Sequence, residues 1–217
     1  MAEYKVPDLT AKEQLQAGKL TRRLTQLVVG LALFGVSMAM MVRADLGVMP
    51  WDVLHQGLAH HLPFSFGQIV IGVGALVLLL WIPLRQWPGL GTILNVVLIG
   101  LFADLTLFFI DTPESIWASV ALMTGGIVLN GLAGALYIGV YLGAGPRDGL
   151  GIGLHILTGK SVRSMRTVVE IAVVVIGWLL GGVVGVGTFM YAVAIGPLLQ
   201  LFLPWVDVLL PEKPENT

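Results

Sequence analysis

The chain of 217 residues contains 56% hydrophobic and 12% charged residues and carries a net charge of −1. A soluble globular domain has about a quarter charged residues, so lipid must cover much of the apolar surface of this chain. The lack of a basic excess argues against a nucleic-acid partner. The lack of cysteine excludes disulfides, thiolate metal sites and a cysteine nucleophile. The composition therefore predicts an all-α polytopic membrane protein whose partner is the lipid bilayer.

The first 20 residues are polar and mixed in charge. They do not resemble a cleaved signal peptide, because the first apolar run is too long and has no small-residue cleavage site. We predict an N-terminal tail over 1–20, a single transmembrane domain over 21–210 and a C-terminal tail over 211–217.

Six apolar runs of spanning length follow in chain order. They are Leu24–Val42, Gly67–Leu84, Thr92–Ile110, Ile116–Leu142, Met165–Gly182 and Thr188–Val208. Lipid cannot satisfy exposed backbone polar groups, so all six are predicted to be helices. Of the 12 Lys and Arg residues, all except Arg43 fall on one side of this arrangement. The positive-inside rule therefore predicts that both termini are cytoplasmic.

An internal repeat relates the two halves of the transmembrane domain. The segment "LGVMPWD" (46–52) recurs as "LGAGPRD" (142–148), and "GLGT" (89–92) recurs as "GVGT" (185–188). Both pairs are separated by 96 residues, which predicts a duplication with copies at about 24–110 and 116–208. Each copy holds three spans, an odd number, so the second copy is inverted. Transporters often use this plan and place their sites at the repeat interface; the alternative is a duplication that only builds a stable scaffold.

Each copy also predicts a short helix after its first span. Pro50 and Pro146 suit the first helical position, and Asp52 and Asp148 suit the positive end of the helix dipole. The two short helices either lie flat on opposite membrane surfaces or re-enter the membrane and point their N-termini at a common site. The glycine-rich second copy favours re-entry, because it can pack closely inside protein.

Five residues are candidates for a substrate pathway. Asp52 and Asp148 are retained in both copies, although each could instead only cap its short helix. Arg147 replaces Trp51 in the second copy, and could contact an anionic substrate, pair with Asp148 or serve only as an inside-positive charge. Asp104 lies well inside the third span, where a carboxylate indicates either a functional site or burial against a partner donor.

The remaining polar residues predict structural roles. Thr92 and Thr188 are interpreted as N-caps that open the third and sixth spans. Arg166 and Glu170 are spaced for an i,i+4 ion pair. The four histidines form no metal signature, and no cofactor motif or nucleophile–base pair is apparent. We therefore predict no metal, no cofactor and no enzymatic activity.

The Pro-Trp-Asp segment at 50–52, the "GLGT" motif, Asn95 and Gly100 followed by Asp104 together resemble the YczE/YyaS/YitT-like bacterial integral membrane proteins. The resemblance covers most of the chain between Gly30 and about Leu201. It implies a multi-pass protein of the bacterial cytoplasmic membrane and brings no established substrate. Sequence and resemblance together predict a small-solute transporter or permease; the alternative is an accessory or scaffold protein that supports another membrane or biosynthetic system.

Overall fold

The computed structural model describes residues 11–208, and every regular element in that range is a helix. The helices are α1 (Ala11–Gln16), α2 (Leu20–Ala44), α3 (Pro50–Ala59), α4 (Phe66–Trp81), α5 (Leu90–Phe109), α6 (Ile116–Ile138), α7 (Pro146–Thr158), α8 (Val162–Leu179) and α9 (Val186–Val206). The all-helical class is confirmed. The predicted C-terminal tail, residues 1–10 of the predicted N-terminal tail and the last two residues of the predicted transmembrane domain lie outside the described residues.

Four helices, α2, α5, α6 and α9, are long and apolar enough to cross a membrane. Helix α4 is equally apolar but has 16 residues, and α8 carries Arg163, Arg166 and Glu170 within its 18 residues. The polytopic membrane character is thus confirmed, whereas the arrangement of six spans remains a prediction. The short helix α1 lies in the predicted polar tail and was not anticipated.

The centre of the molecule is the long contact between α2 and α6. Glycines let these helices approach: a Cβ on Gly30 would lie 2.9 Å from the Cβ of Leu136, and one on Gly126 would lie 3.0 Å from Met41 Cγ. Helix α5 packs on the outer side of α2, and α9 packs on the outer side of α6. The main apolar core therefore runs along α2, where Leu27, Leu31, Met38 and Met41 are completely buried.

We call α2–α5 the first half and α6–α9 the second half. Each short helix packs against the second long helix of the opposite half, α3 against α8 and α7 against α4. A Cβ on Gly57 of α3 would lie 2.6 Å from the carbonyl oxygen of Gly177 in α8. On the other side, the Trp81 indole of α4 donates to the Pro146 carbonyl at 3.0 Å. The two halves are consequently interlocked.

The extended segments before α3 and α7 are bonded in the same way. The Gly187 N–H donates to the Leu46 carbonyl at 2.7 Å, and the Gly91 N–H donates to the Leu142 carbonyl at 2.7 Å. These two bonds join the same pair of positions, displaced by 96 residues. The Gly-x-Gly-Thr motifs therefore anchor the non-helical segments that lead into the short helices.

The threonines of those motifs do not cap their helices as predicted. Helices α5 and α9 begin two residues earlier than Thr92 and Thr188, and Gly89 and Gly185 occupy the N-cap positions. The Thr92 hydroxyl accepts from the Gly89 N–H at 3.1 Å and donates to the Ala144 carbonyl at 2.7 Å. Thr92 thus bonds the extended segment before α7 instead of serving as the N-cap of α5. It can do so because the Gly-x-Gly sequence lets the first turn of α5 pack against that segment.

Candidate functional site

The two short helices meet at their N-termini. Gly47 and Gly143, at φ +104° and +123°, turn the chain just before them, in a region of backbone space that glycine enters readily. Helix α3 begins at Pro50 and α7 at Pro146, where a missing N–H has no consequence. The positive ends of two helix dipoles are therefore directed at one region between the halves.

Arg147 lies between the two helices. Its guanidinium carbon is 5.2 Å from the centroid of the Trp51 ring, which is a cation–π distance. Its Nη2 is 4.0 Å from Asp52 Oδ1. Trp51 and Arg147 occupy equivalent positions of the repeat, so the one conspicuous mismatch in the repeated motif is also a contact between the two copies.

The two repeated aspartates have different partners. Asp52 is fully buried, with Oδ1 2.9 Å from His55 Nδ1, and its Oδ2 has no hydrogen-bond partner among the described residues. Asp148 is half-buried and bonded at both oxygens: Oδ1 accepts from Arg166 Nη2 at 2.6 Å and Oδ2 accepts from the Tyr137 hydroxyl at 2.7 Å. The acceptor capacity of Asp148 is thus already engaged, and that of Asp52 is enclosed in protein.

A cavity of about 240 Å³ lies where these N-termini meet. Helices α2, α4, α5, α6, α8 and α9 complete its wall. Most of the wall is apolar, and the apolar side chains include Phe34, Val70, Val73, Val77, Val96, Ile99, Ile138, Val169, Ile195 and Leu199. Ligand sites are typically concave and mainly apolar with a few directed polar groups, so the cavity has the character of a small-molecule site.

The polar part of the wall is ordered by hydrogen bonds that cross the helices. The Tyr191 hydroxyl of α9 donates to Asn130 Oδ1 at 2.9 Å, and Asn130 Nδ2 donates to the Ser37 hydroxyl of α2 at 2.8 Å. Asn130 of α6 thus joins α2 and α9 through its side-chain amide. Tyr191, like Tyr137 and His55, lines the cavity without having been a candidate.

The two helix pairs beside the cavity differ in how closely they pack. Helices α4 and α5 are packed together, whereas α8 and α9 barely touch. The gap between α8 and α9 is a recess of about 510 Å³ lined by Arg163, Arg166, Thr167, Glu170, Ala192 and Ile195, among others. Four of these residues also line the cavity, so the recess leads into it.

Asp104 lies apart from the cavity. It accepts hydrogen bonds from the Ser65 hydroxyl and, at 2.6 Å, from the Gly67 N–H. These bonds join α5 to the N-terminus of α4 at the closed gap between them. The structure therefore brings four of the five pathway candidates together at the cavity or beside it, namely Trp51, Asp52, Arg147 and Asp148, and separates Asp104 from them.

Arg166 corrects a further prediction. It pairs with Asp148 of α7, and no ion pair between Arg166 and Glu170 is found within residues 11–208. The predicted i,i+4 pair does not form because the Arg166 side chain reaches the Asp148 carboxylate across the contact between α7 and α8. No group of three His, Asp or Glu side chains suited to a metal ion is found in that range either.

The amino-acid sequence of the chain is similar to those of several known proteins. The chain is 39% identical to an uncharacterized protein of Haemophilus influenzae over 177 residues, 82% of this chain and 81% of that protein. It is 36% identical to the uncharacterized membrane protein YczE of Bacillus subtilis over 172 residues (79% of this chain, 80% of YczE). It is 25% identical to YyaS of Bacillus subtilis over 183 residues (82% of this chain, 91% of YyaS).

No solved structure matches the chain. The predicted resemblance to YczE and YyaS is confirmed, and it supports the membrane assignment because YczE is described as a membrane protein. Residues 21–204 match DUF6198, a family of unknown function, and the chain belongs to that family.

Proposed function

We propose that the protein is a small-solute transporter of the cytoplasmic membrane, built from two inverted halves that enclose a central site. The observation that carries the proposal is the cavity at the meeting point of the two short helices, closed along α4–α5 and open along α8–α9. A solute site between inverted repeats, reached from one side at a time, is the arrangement that alternating access requires.

Inversion of the halves is supported by contacts that recur under the shift of 96 residues. The Leu46–Gly187 and Leu142–Gly91 hydrogen bonds are one such pair, and the exchanged packing of α3 and α7 is another. With α4 and α8 as spans, each half crosses the membrane three times. A helix of 16 residues is about 24 Å long, so α4 requires some local thinning of the bilayer.

The proposed orientation places the open side in the cytoplasm. Arg22, Arg85 and Arg163 lie at helix ends or in a connection on one side of the six-span arrangement. Arg43 is the one Lys or Arg of residues 11–208 on the other side. The recess between α8 and α9 begins near Arg163. The structure then corresponds to an inward-facing state, with the outer side closed where Asp104 binds the start of α4.

Re-entry of α3 and α7 is part of the proposal. Two surface helices on opposite faces would lie a membrane thickness apart, whereas Arg147 lies 4.0 Å from Asp52. Non-helical backbone at membrane depth must be bonded by protein or water, and the Leu46 and Leu142 carbonyls meet that requirement.

The proposal is tested by measuring access to the cavity from each side. The chain contains no cysteine, so a single Val73→Cys substitution in the cavity wall gives a clean target for a membrane-impermeant thiol reagent. In right-side-out and inverted vesicles, we expect reaction from both sides. We then add Ser65→Cys and Asp104→Cys and join the two cysteines by mild oxidation. This cross-link should block the reaction from the outside only. The extent of reaction is measured by mass spectrometry of the Val73→Cys peptide.

The oxidised variant without Asp104→Cys is the control and should still react from both sides. If Val73→Cys reacts from only one side before any cross-linking, the cavity is static. The alternative of an accessory or scaffold protein then replaces the transport proposal.

A further inference from the structure

We infer that the cavity binds the carboxylate of a small, otherwise apolar organic anion through the Arg147 guanidinium. This inference rests on the proposed transport function, because it names the class of solute that the same cavity takes. Three observations carry it: the state of the cavity's charged groups, the geometry of Arg147 and the size of the apolar space.

Two of the three acidic groups near the cavity are engaged or enclosed. Asp148 accepts from Tyr137 and Arg166, and Asp52 is completely buried beside His55. Glu170 lies exposed in the part of the wall shared with the recess, toward the opening. Among residues 11–208, Glu170 is therefore the one carboxylate of the wall that has no ion pair, and it belongs to the part of the wall shared with the recess.

Arg147 is in the opposite condition. Its side chain lines the cavity and is 30% exposed, and no hydrogen bond from its guanidinium is found among residues 11–208. Its contact with Asp52 at 4.0 Å is longer than a hydrogen bond. An arginine has five N–H donors in a planar fork that matches a carboxylate, so the cavity contains donors that lack an acceptor.

The position of the guanidinium is fixed before a ligand arrives. The Trp51 ring contacts it at 5.2 Å, and the carboxylate of Asp52 attracts its charge at 4.0 Å. Arg147 is the second residue of α7 and Trp51 the second of α3, so the N-terminal ends of both helices add positive potential at this point. A preorganised donor pair in a mostly apolar enclosure favours a bidentate carboxylate.

The volume limits the size of the anion. The cavity of about 240 Å³ lies below the range of about 300–1,000 Å³ typical of drug-sized ligands. Nine valine, isoleucine and leucine side chains line it. A short aliphatic or single-ring carboxylate satisfies both conditions.

The test uses the purified full-length protein with matched probes at constant ionic strength. The probes are butanoate and benzoate, their neutral amides, and butylammonium and benzylammonium. Two signals are recorded, the shift in thermal unfolding and the protection of Val73→Cys from alkylation. We expect the two carboxylates to raise the unfolding temperature and to slow alkylation, and the amides and amines to do neither.

Substitutions at Arg147 identify the contact. Arg147→Lys retains the charge without the planar fork and should raise the half-saturating carboxylate concentration about tenfold; Arg147→Gln should abolish both signals. Arg22→Gln removes an exposed arginine remote from the cavity and should leave both unchanged. An unliganded unfolding temperature and elution volume equal to wild type establish that the Arg147 variants are folded.

Binding of an amide or an amine as strong as that of the matching carboxylate would overturn the inference, and so would unaltered carboxylate binding by Arg147→Gln. Failure of every probe to bind also rejects it. None of these results bears on the two-sided access of Val73→Cys, which decides the transport proposal separately.

Discussion

The gap between α4 and α5 and the gap between α8 and α9 occupy equivalent positions in the two halves, yet one is closed and the other open. The face of α4 that meets α5 contains Gly67, Val70, Ile71 and Gly74. The shift of 96 residues replaces them with Arg163, Arg166, Thr167 and Glu170 in α8. An uncharged face that packs in the first half corresponds to a charged face that lines an open recess in the second.

The partner helices show the same contrast at matched glycines. A Cβ on Gly100 of α5 would collide with the carbonyl oxygen of Gly67, whereas Gly196 of α9 has no heavy atom within 4 Å of that position. The difference indicates that the charged residues of α8 determine which side is open. Charged residues cannot pack against the apolar face of α9 without a large desolvation cost.

The largest expected effect is on access to water. Thr167→Cys lies in the recess, and Ile71→Cys lies at the equivalent point of the closed gap against Gly100. In the purified protein we expect a water-soluble maleimide to modify Thr167→Cys almost completely while Ile71→Cys stays largely unreacted, measured by intact mass. Equal rates at the two positions would show that the gaps do not differ in solution.

A smaller effect is expected on stability at the matched glycines. Gly100→Leu should lower the free energy of unfolding by about 2–3 kcal/mol, because the added atoms meet backbone that cannot move aside. Gly196→Leu should change it by less than about 0.5 kcal/mol, since the site is open. Denaturant titration of the two variants against wild type measures the difference; similar losses in both would contradict the comparison.

The smallest effect concerns what holds α9 in place. Because α9 barely touches α8, its hydrogen bond from Tyr191 to Asn130 helps to hold it against α6. Tyr191→Phe removes only that hydroxyl and should cost about 1 kcal/mol, the usual range for one interhelical hydrogen bond. Thermal unfolding is the measurement, with Gly196→Leu as the reference variant on α9. No change in Tyr191→Phe would mean that apolar packing alone holds α9.

Much of the framework followed from the sequence, because its signals are local. The long helices follow from hydropathy, and both short helices begin at the prolines that predicted them, Pro50 and Pro146. The start of α5 at Leu90 was missed because glycines usually indicate a break. Here they permit a helical turn to pack against an extended segment.

The site depended on contacts between distant residues, which local patterns do not reveal. Nothing near Asp104 in the chain indicates Ser65 and Gly67 as its partners, since α4 must first pack on α5. Arg166 was assigned to its nearest carboxylate, Glu170, but binds Asp148, which α7 brings to it. The sequence did contain one signal of the open side. The shift of 96 residues that reveals the repeat also aligns charged residues of α8 with glycines of α4.

The interlocking of the halves also constrains how the protein can be synthesised. Gly57 of α3 rests on Gly177 of α8, a residue translated long after it. The first three long helices must therefore insert while α3 has only α4 to pack against, and the larger contact of α3 forms when α8 arrives. Neither half alone contains all of the contacts that hold its short helix. A gene divided in the connection between α5 and α6 would yield two fragments that mature only when they meet in the same membrane.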